Sequence, residues 1–137
     1  MPTLDHFDFT QLNNLFESKM ISAGKTNLKF RNQLSKYLNQ DYISLFSSGS
    51  SALFYILKSL NLVSKKEILV PNYICESVIK SICLAGLTPI LYDNKPNSWV
   101  SSTAIVKDLI NKKTGAIILN HTFGVIFKGI KDLSFLG

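Results

Sequence analysis

Acidic residues are scarce in this chain: nine Asp and Glu face 15 Lys and Arg, for a formal net charge of +6. The basic excess is not gathered into a block. Only Lys65-Lys66 and Lys112-Lys113 are adjacent, and both pairs fall in stretches that read as loops. A nucleic-acid surface needs basic residues concentrated on one face or set in a recognisable motif, so no nucleic-acid partner is expected. Cysteine is nearly absent. Cys75 and Cys83 are too few for a disulfide framework and lack metal-ligand spacing. They lie in one predicted helical segment and are expected as buried free thiols on neighbouring turns. No apolar run approaches membrane-spanning length. Residues 1–8 lack the basic-then-apolar order of a secretory leader, so a cytoplasmic chain without a membrane partner is the expectation.

What is present is an ordinary globular composition. Apolar residues make up 46% of 137 residues, enough to build one core and to exclude disorder. Residues 10–20 carry Leu12, Leu15, Phe16 and Met20 at helical spacing, broken by Ala23-Gly24. A second amphipathic helix is expected over 27–39, ended by Asn39-Gln40-Asp41. From there short apolar runs alternate with helical patterns. Strands are expected at 42–46, 67–70, 88–92 and 115–119, with helices at 51–61, 73–85 and 103–111. Pro71 stops the second strand, Gly86 ends the middle helix as a C-cap glycine, and residues 94–102 form the longest loop. This order indicates an α/β fold of βαβ units around a mainly parallel sheet covered on both faces.

The stretch with the most chemistry is Ser47-Ser48-Gly49-Ser50-Ser51, between the strand at 42–46 and the helix that follows. First-turn N–H groups lack intrahelical acceptors, and the positive end of the helix dipole points outward, so hydroxyls there make an anion site. The simpler reading is that Ser50 or Ser51 only caps the helix. In parallel sheets, ligands bind beyond the carboxyl ends of the strands. Residues 48–51, 71–75 and 120–124 all fall at such ends. Each has a plain alternative: Pro71 ends a strand, Cys75 belongs to the core, His121 is a hydrogen-bonded loop histidine, and Gly124 supplies a turn.

The order of these motifs resembles the N-terminal part of the DegT/DnrJ/StrS-type sugar aminotransferases, pyridoxal-phosphate enzymes of fold type I. The resemblance rests on Ser48-Gly49-Ser50-Ser51-Ala52-Leu53, Val70-Pro71-Asn72-Tyr73, the segment from Gly86 to Asp93, and His121-Thr122-Phe123-Gly124. It covers roughly residues 20–130. It implies that 1–41 are a leading helical segment and 42–137 an incomplete fold type I large domain. It further implies that pyridoxal 5'-phosphate is the cofactor, with Gly49, Ser50 and Ser51 at its phosphate. Cys75 would stand where many members place an aromatic residue over the ring, and His121 would stand at the ring's edge. A cysteine offers no aromatic face for that role. The family acts on a nucleotide-sugar substrate and forms homodimers.

The resemblance also implies two residues that this sequence does not supply, the Asp that pairs with the pyridinium nitrogen and the Schiff-base Lys. Lys128 and Lys131 come too early for the second, so no catalytic residue and no metal ligand is nominated. The expectation is an aminotransferase portion that is inactive by itself. Alternatives are a non-catalytic module that binds a phosphorylated ligand or a partner chain, and another fold type I enzyme such as a lyase or desulfurase. In the family's sheet the strand matching 42–46 lies away from the next three. It is therefore expected either to move beside 115–119 or to leave the chain poorly folded.

Overall fold

The computed structural model describes residues 9–19 and 24–133. The chain divides into two compact units, Met1–Leu45 and Phe46–Gly137. The first contains α1, Phe9–Glu17, and α2, Lys25–Leu38. Residue 20 and Ala23, part of the expected first helix and its break, lie outside the described residues. Asn39 takes a left-handed conformation and closes α2, as its sequence position predicts. No residue of α2 is buried, and Leu28, Phe30, Tyr37 and Leu38 are all exposed.

The second unit is an α/β layer structure. Its elements are α3 (Gly49–Ser59), β1 (Glu67–Pro71), α4 (Glu76–Leu84), β2 (Thr88–Tyr92), α5 (Thr103–Asp108) and β3 (Thr114–Ile117). Single 3-10 turns follow at Thr122–Gly124 and Ile130–Leu133. The three strands form one parallel sheet in the order β2-β1-β3. The predicted fold class is therefore the one observed.

Central β1 is buried on both faces, which its unbroken Ile68-Leu69-Val70 run requires. Alternation sends Ile68 and Val70 to one side, where they pack with Leu57 of α3 and with Ile82 and Ala85 at the end of α4. Leu69 faces the other side and meets Tyr92, Val106 of α5, Phe127 and Leu133. Burying each such aliphatic side chain contributes roughly 1.5–3 kcal/mol relative to exposure. Pro89 sits within β2, where a missing N–H is tolerated because β2 is an edge strand.

Two glycines shape the connections. Gly86, at φ +80°, follows α4 in a Schellman ending: its N–H donates to the Cys83 carbonyl, and that of Leu87 donates to the Ile82 carbonyl. Gly115 falls between the residues of β3 that pair with Glu67 and Ile68, so it is the extra residue of a bulge. A Cβ there would collide with the Lys65 carbonyl and crowd Leu62, so close backbone approach demands glycine.

Three expectations are corrected. Residues 42–46 form no strand, because no neighbour offers a ladder, and the stretch does not join the sheet beside β3. Tyr42 is almost wholly exposed. The cysteines are exposed rather than buried. α4 begins only at Glu76 and buries a stripe through Ser81, Ile82 and Ala85, which leaves Cys75 before the helix and Cys83 off the stripe. The third correction concerns the cap of α3, which is neither Ser50 nor Ser51.

Candidate functional site

Ser48 caps α3. Its backbone is extended, and its Oγ accepts the Ser51 N–H at 3.1 Å. A capping oxygen reaches the amide three positions on, so the cap must lie at 48 for a helix that starts at Gly49. The Ser48 and Ser51 hydroxyls are also 3.0 Å apart. Gly49 and Ser50 thus fill the first two helical positions, where amides have no intrahelical acceptor. A Cβ added at Gly49 would meet nothing within 4 Å, so the space over this turn is open. Open space, outward amides, the Ser50 hydroxyl and the positive helix end together fit a phosphate group. The turn is fixed from below: Ser81 Oγ donates to the Ser50 carbonyl at 3.1 Å and to the Ser77 carbonyl at 2.8 Å.

Cys75 precedes α4 with its side chain exposed and makes no capping bond. His121 follows β3. Its Nδ1 accepts the Phe127 N–H at 3.0 Å, which places the proton of the neutral ring on Nε2. The ring is therefore held by one nitrogen while the other remains a donor on an exposed residue. Asn120 Nδ2 donates to Thr122 Oγ1 at 2.8 Å and tightens the same turn. Among the described residues, no hydrogen bond or ring contact joins residues 48–51, Cys75 and His121 to one another. The phosphate-type turn connects to α4 instead.

What does join the strand ends is a row of aromatic rings. Tyr73 follows β1, Trp99 lies in the 94–102 loop after β2, and Phe123 lies in the turn after β3. Tyr73 and Trp99 have centroids 5.6 Å apart, and Trp99 meets Phe123 edge-on at 5.1 Å. Beside them Asn72 Nδ2 donates to Asp93 Oδ1, and the Asn72 N–H donates to the Tyr92 carbonyl at 2.9 Å. The sequence reading placed groups at two of these loops but took 94–102 only as a connection. The chain's single tryptophan in a loop was the available signal.

For a pyridoxal-phosphate cofactor, the residues present fit the phosphate end.

The chain matches the DegT/DnrJ/EryC1/StrS aminotransferase family over residues 2–134. It is 27% identical over 124 residues to the GDP-perosamine synthase of Vibrio cholerae, covering 90% of this chain and 34% of that protein. It is 27% identical over 119 residues to the UDP-4-amino-4,6-dideoxy-N-acetyl-beta-L-altrosamine transaminase of Helicobacter pylori, covering 85% of this chain and 32% of that one. Among solved structures it resembles Helicobacter pylori PseC, an aminotransferase involved in the biosynthesis of pseudoaminic acid. The TM-score is 0.82 at 24% identity, over 93% of this chain and 34% of PseC. The PLP form of Spr1654 from Streptococcus pneumoniae, a candidate sugar aminotransferase, gives 0.83 at 22% identity, over 93% and 32%. The chain spans about a third of the length of these relatives. Over nearly its whole length, this chain belongs to the DegT/DnrJ/EryC1/StrS aminotransferase family.

Proposed function

We propose that this chain is the leading portion of a pyridoxal-phosphate-dependent aminotransferase acting on a nucleotide-linked keto sugar, and that these residues alone do not catalyse the transfer. The observation that carries the proposal is the open, serine-lined first turn of α3 within a chain that matches the family over residues 2–134. Residues 1–41 serve as its leading helical segment and 42–137 as the incomplete cofactor domain. The active assembly is a homodimer.

In this reading the Gly49 and Ser50 amides and the Ser50 and Ser51 hydroxyls bind the cofactor phosphate, while the Ser48 hydroxyl is spent on the Ser51 N–H. His121 stands near the ring, aligned by its bond from the Phe127 amide, and presents Nε2–H as a donor. Cys75 borders the ring as a small polarizable group without stacking. When bound, pyridoxal phosphate supplies the electron sink for amino transfer.

Titration of the full chain with pyridoxal phosphate, followed by absorbance, should show saturable binding that weakens at least about fivefold in the Ser50→Ala/Ser51→Ala double variant, the scale of one or two charge-assisted hydrogen bonds. Binding that ignores these serines would remove the phosphate assignment. Borohydride reduction of the mixture should leave no single lysine stoichiometrically labelled on peptide mapping. One labelled lysine would overturn the expected inactivity.

A further inference from the structure

The helix α2 buries none of its apolar residues. Phe30 is 52% exposed, Leu38 48% and Tyr37 86%, and no residue of the helix is buried. At about 3.6 residues per turn, Phe30, Leu34, Tyr37 and Leu38 share a sector of about 100°. Apolar surface facing water has a free-energy cost, and a helix of 14 residues is marginal in water unless its apolar face is covered. The helix ends do not compensate. The first turn starts at Lys25 without an acidic residue, and Gly24 supplies no side-chain cap.

Charge decides what covers the face. α2 carries Lys25, Lys29, Arg31 and Lys36 and no acidic residue. Among the described residues, none of these four forms an ion pair with a carboxylate. Lys25, Lys29 and Lys36 line one side of the helix with Asn32 and Gln33, opposite the apolar sector. Lys25 and Lys29, four apart, repel each other. Arg31 stands at the border of the apolar sector.

An uncharged protein groove would cover the apolar sector and leave this charge unanswered. Duplex nucleic acid would answer the charge but offers Phe30 and Leu34 no apolar surface to enter. An anionic lipid surface does both, and a basic amphipathic helix with aromatic residues on its apolar face is the form that lies in one. Arg31 reaches the headgroups from the border, while Tyr37 sits with its ring in the interface and its hydroxyl in water. The three lysines stand about 10 Å farther out, one helix diameter, which is about the screening length at 0.1 M salt. They still feel the surface charge. No membrane partner was expected because the sequence lacks a long apolar run, but a helix lying flat in the surface needs none.

We propose that α2 is an interfacial helix that docks this chain on an anionic membrane surface, with Phe30, Leu34, Tyr37 and Leu38 inserted and the lysines facing outward. The proposal uses no residue assigned to the cofactor, so it stands or falls apart from the aminotransferase reading.

In the full chain, cosedimentation with phosphatidylcholine vesicles containing one-quarter phosphatidylglycerol should be saturable. It should fall steeply between about 0.1 M and about 0.5 M salt as the screening length shortens. Vesicles of phosphatidylcholine alone should bind at least about tenfold more weakly, since basic residues lose their attraction there. Phe30→Ser/Tyr37→Ser and Lys29→Glu/Lys36→Glu should each weaken binding to the anionic vesicles at least about tenfold. Thermal stability should hold in both variants, because none of these side chains is buried.

Equal binding to neutral vesicles, no binding to either kind, or binding unchanged in both variants would overturn the proposal. Two further arms name a different occupant and would overturn it as well. A labelled DNA duplex bound through Lys29 and Lys36 but indifferent to Phe30→Ser/Tyr37→Ser would assign the helix to nucleic acid. A dimer seen by sedimentation without vesicles, and lost in Phe30→Ser/Tyr37→Ser, would assign the apolar face to a second copy of the chain.

Discussion

One phenol ties the sheet together across its width. Tyr92, at the end of β2, is 3% exposed and donates its hydroxyl to the Ile118 carbonyl beyond β3 at 2.7 Å, spanning central β1. Burial raises its pKa well above the ordinary tyrosine value of 10.0. The folded chain therefore keeps this proton where the unfolded chain releases it. Stability from Tyr92 is complete below about pH 10 and declines as the pH climbs past that value. Tyr92→Phe should lose about 1 kcal/mol at neutral pH, the net worth of one hydrogen bond, and should show a shallower alkaline decline. Urea denaturation at pH 7 and above pH 10 measures both. An unchanged alkaline slope would mean that another group titrates there. This bond was not legible in the sequence, because only the folded sheet brings its two residues within reach; that His121 is a hydrogen-bonded loop histidine was read there, but its partner, the Phe127 amide, was not.

At the scale of elements, helix ends were read to within a few residues where a specific residue marks them. Gly86 and Asn39 were read in this way, because a left-handed ending needs glycine or asparagine. The start of α3 was misplaced, since a run of serines offers several capping hydroxyls and only the bond to Ser51 selects Ser48. Ser48→Ala should cost about 1 kcal/mol of stability as a lost N-cap. Because Ser48 is committed to the helix, the same change should weaken pyridoxal-phosphate binding less than Ser50→Ala. Thermal melts and the cofactor titration together test this. A larger loss of phosphate affinity from Ser48→Ala would show that its hydroxyl contacts the ligand. The cysteines were misread because apolar character was taken as burial, whereas Cys75 falls before α4 and the helix register sets Cys83 off the buried stripe.

On the scale of the whole molecule, β3 is an edge. Its partner on one side is β1, and Ile118 continues that ladder by donating to the Leu69 carbonyl at 2.8 Å. Amides alternate in direction along a strand, so the Ile117 N–H points to the open side. Hydrogen exchange followed by NMR on the dilute chain should find Ile117 at least about tenfold less protected than Ile118. Equal protection would mean that another strand covers the edge in solution.

By itself the sequence determined the α/β class, the alternating order of elements and the family. Those follow from local apolar periodicity, from Pro71 and Gly86, and from short motifs whose spacing survives without any contact. Tertiary structure alone decided the rest. The stretch at 42–46 has strand composition yet forms no strand, because a parallel ladder exists only where a neighbouring strand supplies it. Trp99 looked like a loop residue until three chain segments met around it. Propensity belongs to a residue and its neighbours in sequence, whereas pairing and convergence belong to the whole fold.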